Sequence, residues 1–98
     1  MARSGIATAE DGTEIRYLVW GGPNAAQRVA LVHSLAMTAE FWSGVAEALG
    51  EGWEVLAIDC RGHGASGKPP GPYAAELFAD DLKAALDPAG WSRALIGG

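Results

Sequence analysis

Cysteine is almost missing from this sequence: Cys60 stands alone, which excludes an internal disulfide and leaves no second sulfur at metal-ligand spacing. A lone thiol fits a reducing compartment, so the expected location is the cytoplasm. Basic charge is also scarce. Seven Lys and Arg face twelve Asp and Glu, for a net charge of −5, and the basic residues are scattered singly. No patch exists to neutralise a phosphate backbone, so nucleic acid is not an expected partner. No apolar run approaches the roughly 18 uninterrupted residues of a membrane span, and the opening MARSGIATAEDG lacks the apolar core of a signal peptide. No membrane partner is expected. Repeats, low-complexity tracts and charge blocks are absent as well. With 49% apolar and 19% charged residues over 98 positions, the composition is that of at most one globular domain.

What is present is an alternation of two periods. Ile6 to Ala9 and Thr13 to Trp20 are β-type runs flanking Glu10-Asp11-Gly12, and Asp-Gly between such runs is a strong hairpin signal. Gly21-Gly22-Pro23-Asn24 reads as a loop, and the short apolar run Arg28 to His33 as a strand buried on both faces and central in its sheet. From Thr38 the period lengthens: Phe41, Val45 and Leu49 recur every four residues, with Trp42 and Ala46 beside them and Glu40, Ser43 and Glu47 opposite. That spacing predicts an amphipathic helix burying Phe41, Trp42 and Leu49, each contributing about 1.5–3 kcal/mol. Thr38 is the expected cap, and Gly50 and Gly52 allow the exit. Glu54 to Asp59 is the next strand, followed by a loop with Gly62, Gly64, Gly67, Pro69, Pro70, Gly71 and Pro72 in which no helix begins. Leu77, Phe78, Leu82, Ala85 and Leu86 mark a second amphipathic helix that stops near Pro88-Ala89-Gly90, and Arg93 to Ile96 starts another strand. The order β-β-β-α-β-α-β predicts an α/β fold with a largely parallel sheet.

Three patterns imitate functional motifs. Gly62-His63-Gly64-Ala65-Ser66-Gly67 satisfies G-x-G-x-x-G, but that motif needs its third glycine to open a helix whose N–H groups hold a pyrophosphate. Lys68-Pro69-Pro70-Gly71-Pro72 follows instead. Gly62 to Lys68 also fits G-x-x-x-x-G-K, with Pro69 where a hydroxyl would meet Mg²⁺. Gly90-Trp91-Ser92-Arg93-Ala94 loosely resembles a nucleophile elbow, which must leave a strand and enter a helix, whereas Ser92 lies between a helix and a strand. Ser4, Ser34, Ser43 and Ser66 lack the required setting too, so no serine here is a convincing nucleophile.

Asp59-Cys60-Arg61-Gly62-His63-Gly64-Ala65-Ser66, at the end of a buried strand, resembles the D-x-R-G-x-G-x-S signature of the α/β-hydrolase superfamily. The strand RVALVH running into His33-Ser34-Leu35-Ala36 resembles that superfamily's H-G-x oxyanion loop, with Ser34 in place of the usual Gly, and Phe41-Trp42 resembles the helix after it. GHGASGKPPGPY, with FADDL at Phe78 to Leu82, looks most like the lactonase and perhydrolase-like esterase branch, including 3-oxoadipate enol-lactonases. The resemblance implies that residues 1–98 are the N-terminal part of a single α/β-hydrolase domain. It makes the backbone N–H of Leu35 an oxyanion donor, since such donors are main-chain groups aimed at developing negative charge. It makes His33 and Ser34 supports of that loop and His63 part of the turn, because the superfamily's catalytic base lies far downstream. Asp59 and Arg61 are expected to pair as a brace, Cys60 to pack as a small buried side chain, and Met37 and Trp42 to border the substrate pocket. No metal or organic cofactor is implied.

In the superfamily, the strand that Arg93-Ala94-Leu95-Ile96 resembles runs into Gly-x-nucleophile-x-Gly, and Ile96-Gly97-Gly98 matches it up to the residue before the nucleophile. The expectation is therefore the N-terminal chain of a cleaved hydrolase, working as a heterodimer with a C-terminal chain that begins with a Ser or Cys nucleophile and carries the acid and His. A nucleophile held in a strained elbow can attack the carbonyl of Gly98, shift the acyl group and let water release the pieces, which makes Gly98 the expected cleavage site. The expected substrate is a small carboxylic ester, lactone or related acyl compound. Ala94 to Ile96 would form an apolar sheet edge that needs a partner strand. The alternatives are a ligand-binding or regulatory protein on a hydrolase scaffold, or an inactive truncated fragment.

Overall fold

The structure, a computed structural model, describes residues 2–22, 24–71 and 73–98. Met1 and the two loop-assigned prolines Pro23 and Pro72 lie outside the described residues. Strands β1 (Arg3–Thr8) and β2 (Glu14–Trp20) form the hairpin, antiparallel with Arg3 opposite Val19 and Thr8 opposite Glu14. Its turn uses the Asp-Gly pair as the sequence suggests. Gly12 adopts φ 89°, its N–H donates to the Ala9 carbonyl, and the Thr13 N–H donates to Asp11 Oδ1.

Strands β3 (Gln27–Val32), β4 (Trp53–Ile58) and β5 (Leu95–Gly97) run parallel, and β2 joins them antiparallel to β4. The sheet order is β1-β2-β4-β3-β5. The central strand is thus β4, not β3 as the apolar run at Arg28 to His33 suggested. β4 is buried from Glu54 through Ile58, whereas β3 buries only Ala30 and Leu31, because its outer neighbour is just 3 residues long.

Side chains alternate across this sheet and each face carries a helical layer. Helix α2 (Ala75–Leu86) lies on one face, where Ile15, Val19, Ala30, Leu56 and Ile58 pack with Ala85 and Trp91. A 3-10 turn (Ala39–Trp42) leading into α1 (Ser43–Leu49) covers the other, where Leu18, Trp20, Leu31, Val55 and Ala57 pack with Ala39 and Ala46. Burial on both faces is the reason β4 reads as an unbroken apolar run.

The first helical segment departs from its expected phase. Ala39 and Ala46 are buried, with Trp42 and Leu49 packed beside them, while Phe41 and Val45 are 52% and 42% exposed. A 3-10 turn has three residues per turn instead of 3.6, so positions 39, 42, 46 and 49 face the sheet and positions 41 and 45 do not. Thr38 makes no side-chain cap; the Ala39 N–H donates to Asp59 Oδ1 instead.

Arg61 also corrects an expectation, since it does not pair with Asp59. Its Nε and Nη2 donate to the two oxygens of Asp81 on α2, both at 2.7 Å, and its Nη1 donates to Asp11 Oδ2 at 2.8 Å. The physical reason is that β4 ends at Ile58. Beyond it the period-two rule that would put positions 59 and 61 on one face no longer applies. Arg61 and Asp81 are both buried, so each depends on the other. Asp81→Ala is expected to destabilise the fold by about 3–5 kcal/mol in urea denaturation, because it leaves a buried guanidinium without its two-pronged partner. Asp11→Ala, at an exposed carboxylate, should cost much less. Equal effects would mean that burial does not govern this pair.

Candidate active site

Two loops meet at the C-terminal ends of β3 and β4, where open parallel sheets place their ligand crevices. The loop after β4 is organised by Asp59, which is fully buried. Asp59 Oδ1 accepts the Ala39 N–H at 2.7 Å, and Oδ2 accepts the Ala65 N–H and Arg16 Nη1, each at 3.0 Å. The Ser66 hydroxyl donates to the Asp59 carbonyl at 2.6 Å while its oxygen accepts the Arg16 N–H at 2.9 Å. The spacing of the D-x-R-G-x-G-x-S signature follows from this geometry. Gly64 sits at φ 51°, and a Cβ there would run into the Asp59 carboxylate; Gly62 sits at φ 82°, with the Tyr73 ring 2.6 Å from where its Cβ would be. Only glycine fits such positions without strain. No helix follows this loop until Ala75, so the nucleotide-like glycine pattern has no helix N-terminus to work with.

Arg16 reaches a second carboxylate as well. Its Nη1 donates to Glu40 Oε1 at 3.0 Å and its Nη2 to Glu40 Oε2. Hydrogen bonding to Arg16 holds the Glu40 carboxyl down at about 2, outweighing partial desolvation. Hydrogen bonds from Arg61 likewise hold Asp11 well below the usual carboxylate range. Burial pushes the Cys60 thiol up to about 11, with the charges of Asp81 and Asp59 adding to the effect. A thiol in that state is a packing group rather than a nucleophile.

The loop after β3 begins at His33, which is buried. Its Nε2 accepts the Cys60 N–H at 2.9 Å, and its Nδ1 lies 2.7 Å from the Ser34 carbonyl oxygen. An amide N–H can only donate, so Nδ1 carries the proton and donates to Ser34. Nε2 thus joins the two loops, while Nδ1 holds the ring against its own loop. Ser34 to Met37 is a β-turn closed by the Met37 N–H on the Ser34 carbonyl at 3.1 Å. Ala36, at φ 66°, is the only non-glycine residue with positive φ among the described residues. A positive φ at the third position with an ordinary φ at the second marks a type II turn. Leu35, at its second position, is 86% exposed, and no acceptor among the described residues takes its N–H.

His33, Ser34 and Leu35 line a hollow of about 230 Å³ together with Cys60, His63 and Phe78. The His33 and His63 rings are 5.0 Å apart, centroid to centroid. Met37 and Trp42 do not line this hollow: Met37 is exposed at the last position of the turn, and Trp42 packs against the core on the α1 side. Gly98 lies beside β3, where an added Cβ would come within 2.9 Å of the Val32 carbonyl. Ser92 is exposed between α2 and β5. Sequence reasoning gave Arg16 no role and placed Glu40 only on the polar face of the first helix. The available signal was the alternation in EIRYLVW, which puts Arg16 on the same side of β2 as the buried Leu18 and Trp20.

The family model for the alpha/beta hydrolase fold matches residues 27–98. The chain belongs to the α/β-hydrolase family. A Caulobacter segnis protein provisionally named as the carbamate hydrolase RutD is 39% identical over 87 residues, which cover 86% of this chain and 33% of that protein. A non-heme chloroperoxidase of Streptomyces lividans is 36% identical over 81 residues, covering 82% of this chain and 29% of that one. The crystal structure of the enol-lactonase from Burkholderia xenovorans LB400 superposes with a TM-score of 0.86 at 33% identity, covering 95% of this chain and 36% of the enol-lactonase chain. The chain thus spans about a third of the length of the relatives it matches. The expected N-terminal part of a hydrolase sheet is what these residues form.

The ion pairs around the crevice make stability depend on acid. The contribution of Glu40 is complete above its ordinary value of 4.5 and is lost as pH falls through about 2. Denaturation followed from neutral pH downward should therefore show stability declining below about pH 4.5, with a smaller decline in Glu40→Gln. Gly64→Ala is expected to cost at least about 1–3 kcal/mol in the same assay, through left-handed strain alone.

Proposed function

We propose that this chain is the N-terminal part of an acyl hydrolase acting on a carboxylic ester, lactone or related activated acyl compound, and that it presents the Leu35 N–H as an oxyanion donor. The observation that carries this reading is the type II turn at Ser34 to Met37, which holds the exposed Leu35 at the end of β3 with an N–H that no acceptor among the described residues takes. A main-chain donor fixed before reaction stabilises developing negative charge without reorganising. The relatives named as a carbamate hydrolase and an enol-lactonase favour the same class of chemistry.

His33 and Ser34 support the turn in this reading, and the exposed Met37 borders the substrate where the rest of the enzyme closes over the hollow, whereas Trp42, packed into the core, stays out of it. The nucleophile, acid and base belong to the part of the relatives' length that this chain does not span. The nucleophile attacks the acyl carbon as its proton passes to the His. The resulting oxyanion is held by the Leu35 N–H and by one N–H beside the nucleophile, and collapse expels the alcohol or enolate, which takes the proton. Water then repeats the sequence to release the acid. The lone thiol of Cys60 supports a reducing compartment such as the cytoplasm.

Leu35→Pro deletes the donor while keeping the turn, since Pro is favoured at the second position of a type II turn. Turnover of p-nitrophenyl acetate by the active protein is expected to fall about 10²–10³-fold in kcat for Leu35→Pro and to change little in Leu35→Ala. Equal activity of the two variants would take the Leu35 N–H out of the mechanism. A single acylation of the parent protein without turnover would mark it as a binding protein instead.

A further inference from the structure

We infer that Arg16 is a positioning residue for the turn that carries Leu35, acting through Asp59 and Glu40; the inference rests on the reading of Leu35 as oxyanion donor. The turn is anchored at both ends and strained in its middle. At the start, His33 Nε2 is tied to the Cys60 N–H. At the far end, the Ala39 N–H is tied to Asp59 Oδ1, and the next residue, Glu40, is tied to Arg16. Between them Ala36 holds φ 66°, a conformation that L side chains resist and that persists only where the surroundings over-determine it.

Arg16 stands behind both far-end anchors. Its Nη1 gives the buried Asp59 carboxylate a counter-charge and fixes its orientation toward Ala39, while Nη1 and Nη2 hold Glu40. One guanidinium therefore fixes two consecutive residues at the exit of the turn, a task suited to a planar fork of donors and not to the point charge of a lysine. Arg16 is itself immobilised by its main chain, whose N–H donates to Ser66 Oγ and whose carbonyl accepts the Asp59 N–H. The position faces the same side of β2 as the buried Leu18 and Trp20. A charge there costs desolvation that an apolar side chain would avoid, and what it adds is control over the far end of the turn.

The test uses the active protein with p-nitrophenyl acetate and follows amide hydrogen exchange of residues 33–41 in parallel. Arg16→Gln is expected to lower kcat roughly 10- to 100-fold with KM within about twofold, as a misplaced donor should. Exchange should quicken in residues 33–41 and stay unchanged in β2 and β4. Glu40→Gln, which leaves the Asp59 pair in place, should act in the same direction and more weakly, so the inference stays testable if Arg16→Gln folds poorly. In an Ala36→Gly background the loss caused by Arg16→Gln should shrink several-fold, because glycine holds the left-handed turn without help. Arg16→Lys should not restore the parental kcat. An unchanged kcat, an equal loss in both backgrounds, or faster exchange across the whole sheet would each overturn the inference. If the parent protein shows no turnover, the acyl-hydrolase reading fails by itself and the exchange pattern alone decides: a local change at residues 33–41 supports the positioning role, and no change overturns it.

Discussion

The carboxylate of Asp59 is the point on which the site depends. A charge removed from water is costly unless its lone pairs are filled, and here three donors fill them from three parts of the chain: Arg16 on β2, Ala39 at the start of the first helical segment, and Ala65 in the glycine loop. Each donor is held because the others are. Apolar burial brings β2, β4 and α1 together without direction, and the carboxylate adds direction, setting where the loops after β3 and β4 stand relative to each other. The glycine at position 64 is the geometric consequence, since no side chain fits between that loop and Asp59.

The two arginines divide the work around this centre. Arg61 reaches away from the crevice, tying its loop to Asp81 on α2 and to Asp11 in the hairpin turn. Arg16 reaches into it, tying β2 to Asp59 and Glu40. Together they hold the glycine loop and the start of the first helical segment from both sides of the sheet. The turn from Ser34 to Met37 projects from the crevice, with Leu35 at its tip and the Leu35 N–H free among the described residues. A firm base under an exposed main-chain donor is the arrangement that electrostatic preorganisation asks for. The open side is β5, where Leu95 and Ile96 remain exposed, an edge of the kind that native sheets cover or pair.

Much of this is legible in the sequence. The hairpin at Asp11-Gly12, the buried run of β4, the second helix and the turn glycines all follow from local periodicity or from backbone conformations that favour glycine. The hydrolase signature was legible for the same reason: Gly62 and Gly64 mark close approaches that admit no side chain. Less legible were features in which two local rules competed. The apolar stripe at Phe41, Val45 and Leu49 assumed an α-helical period from its first residue, and a 3-10 turn moved the buried face to Ala39 and Ala46. Thr38 had the chemistry of a cap, and the carboxylate of Asp59 took its place.

By itself, then, the sequence determined the kinds of element, their order and the family, because these rest on spacing within a few residues and on where glycine is required. The tertiary structure alone decided which strand lies at the centre, which partners Asp59 and Arg61 take, and that Arg16 belongs to the crevice. Apart from the Asp59–Ala65 bond, those side-chain contacts join residues 20 to 50 positions apart. Strand order and loop crossing bring them together, and no local period in the chain encodes either.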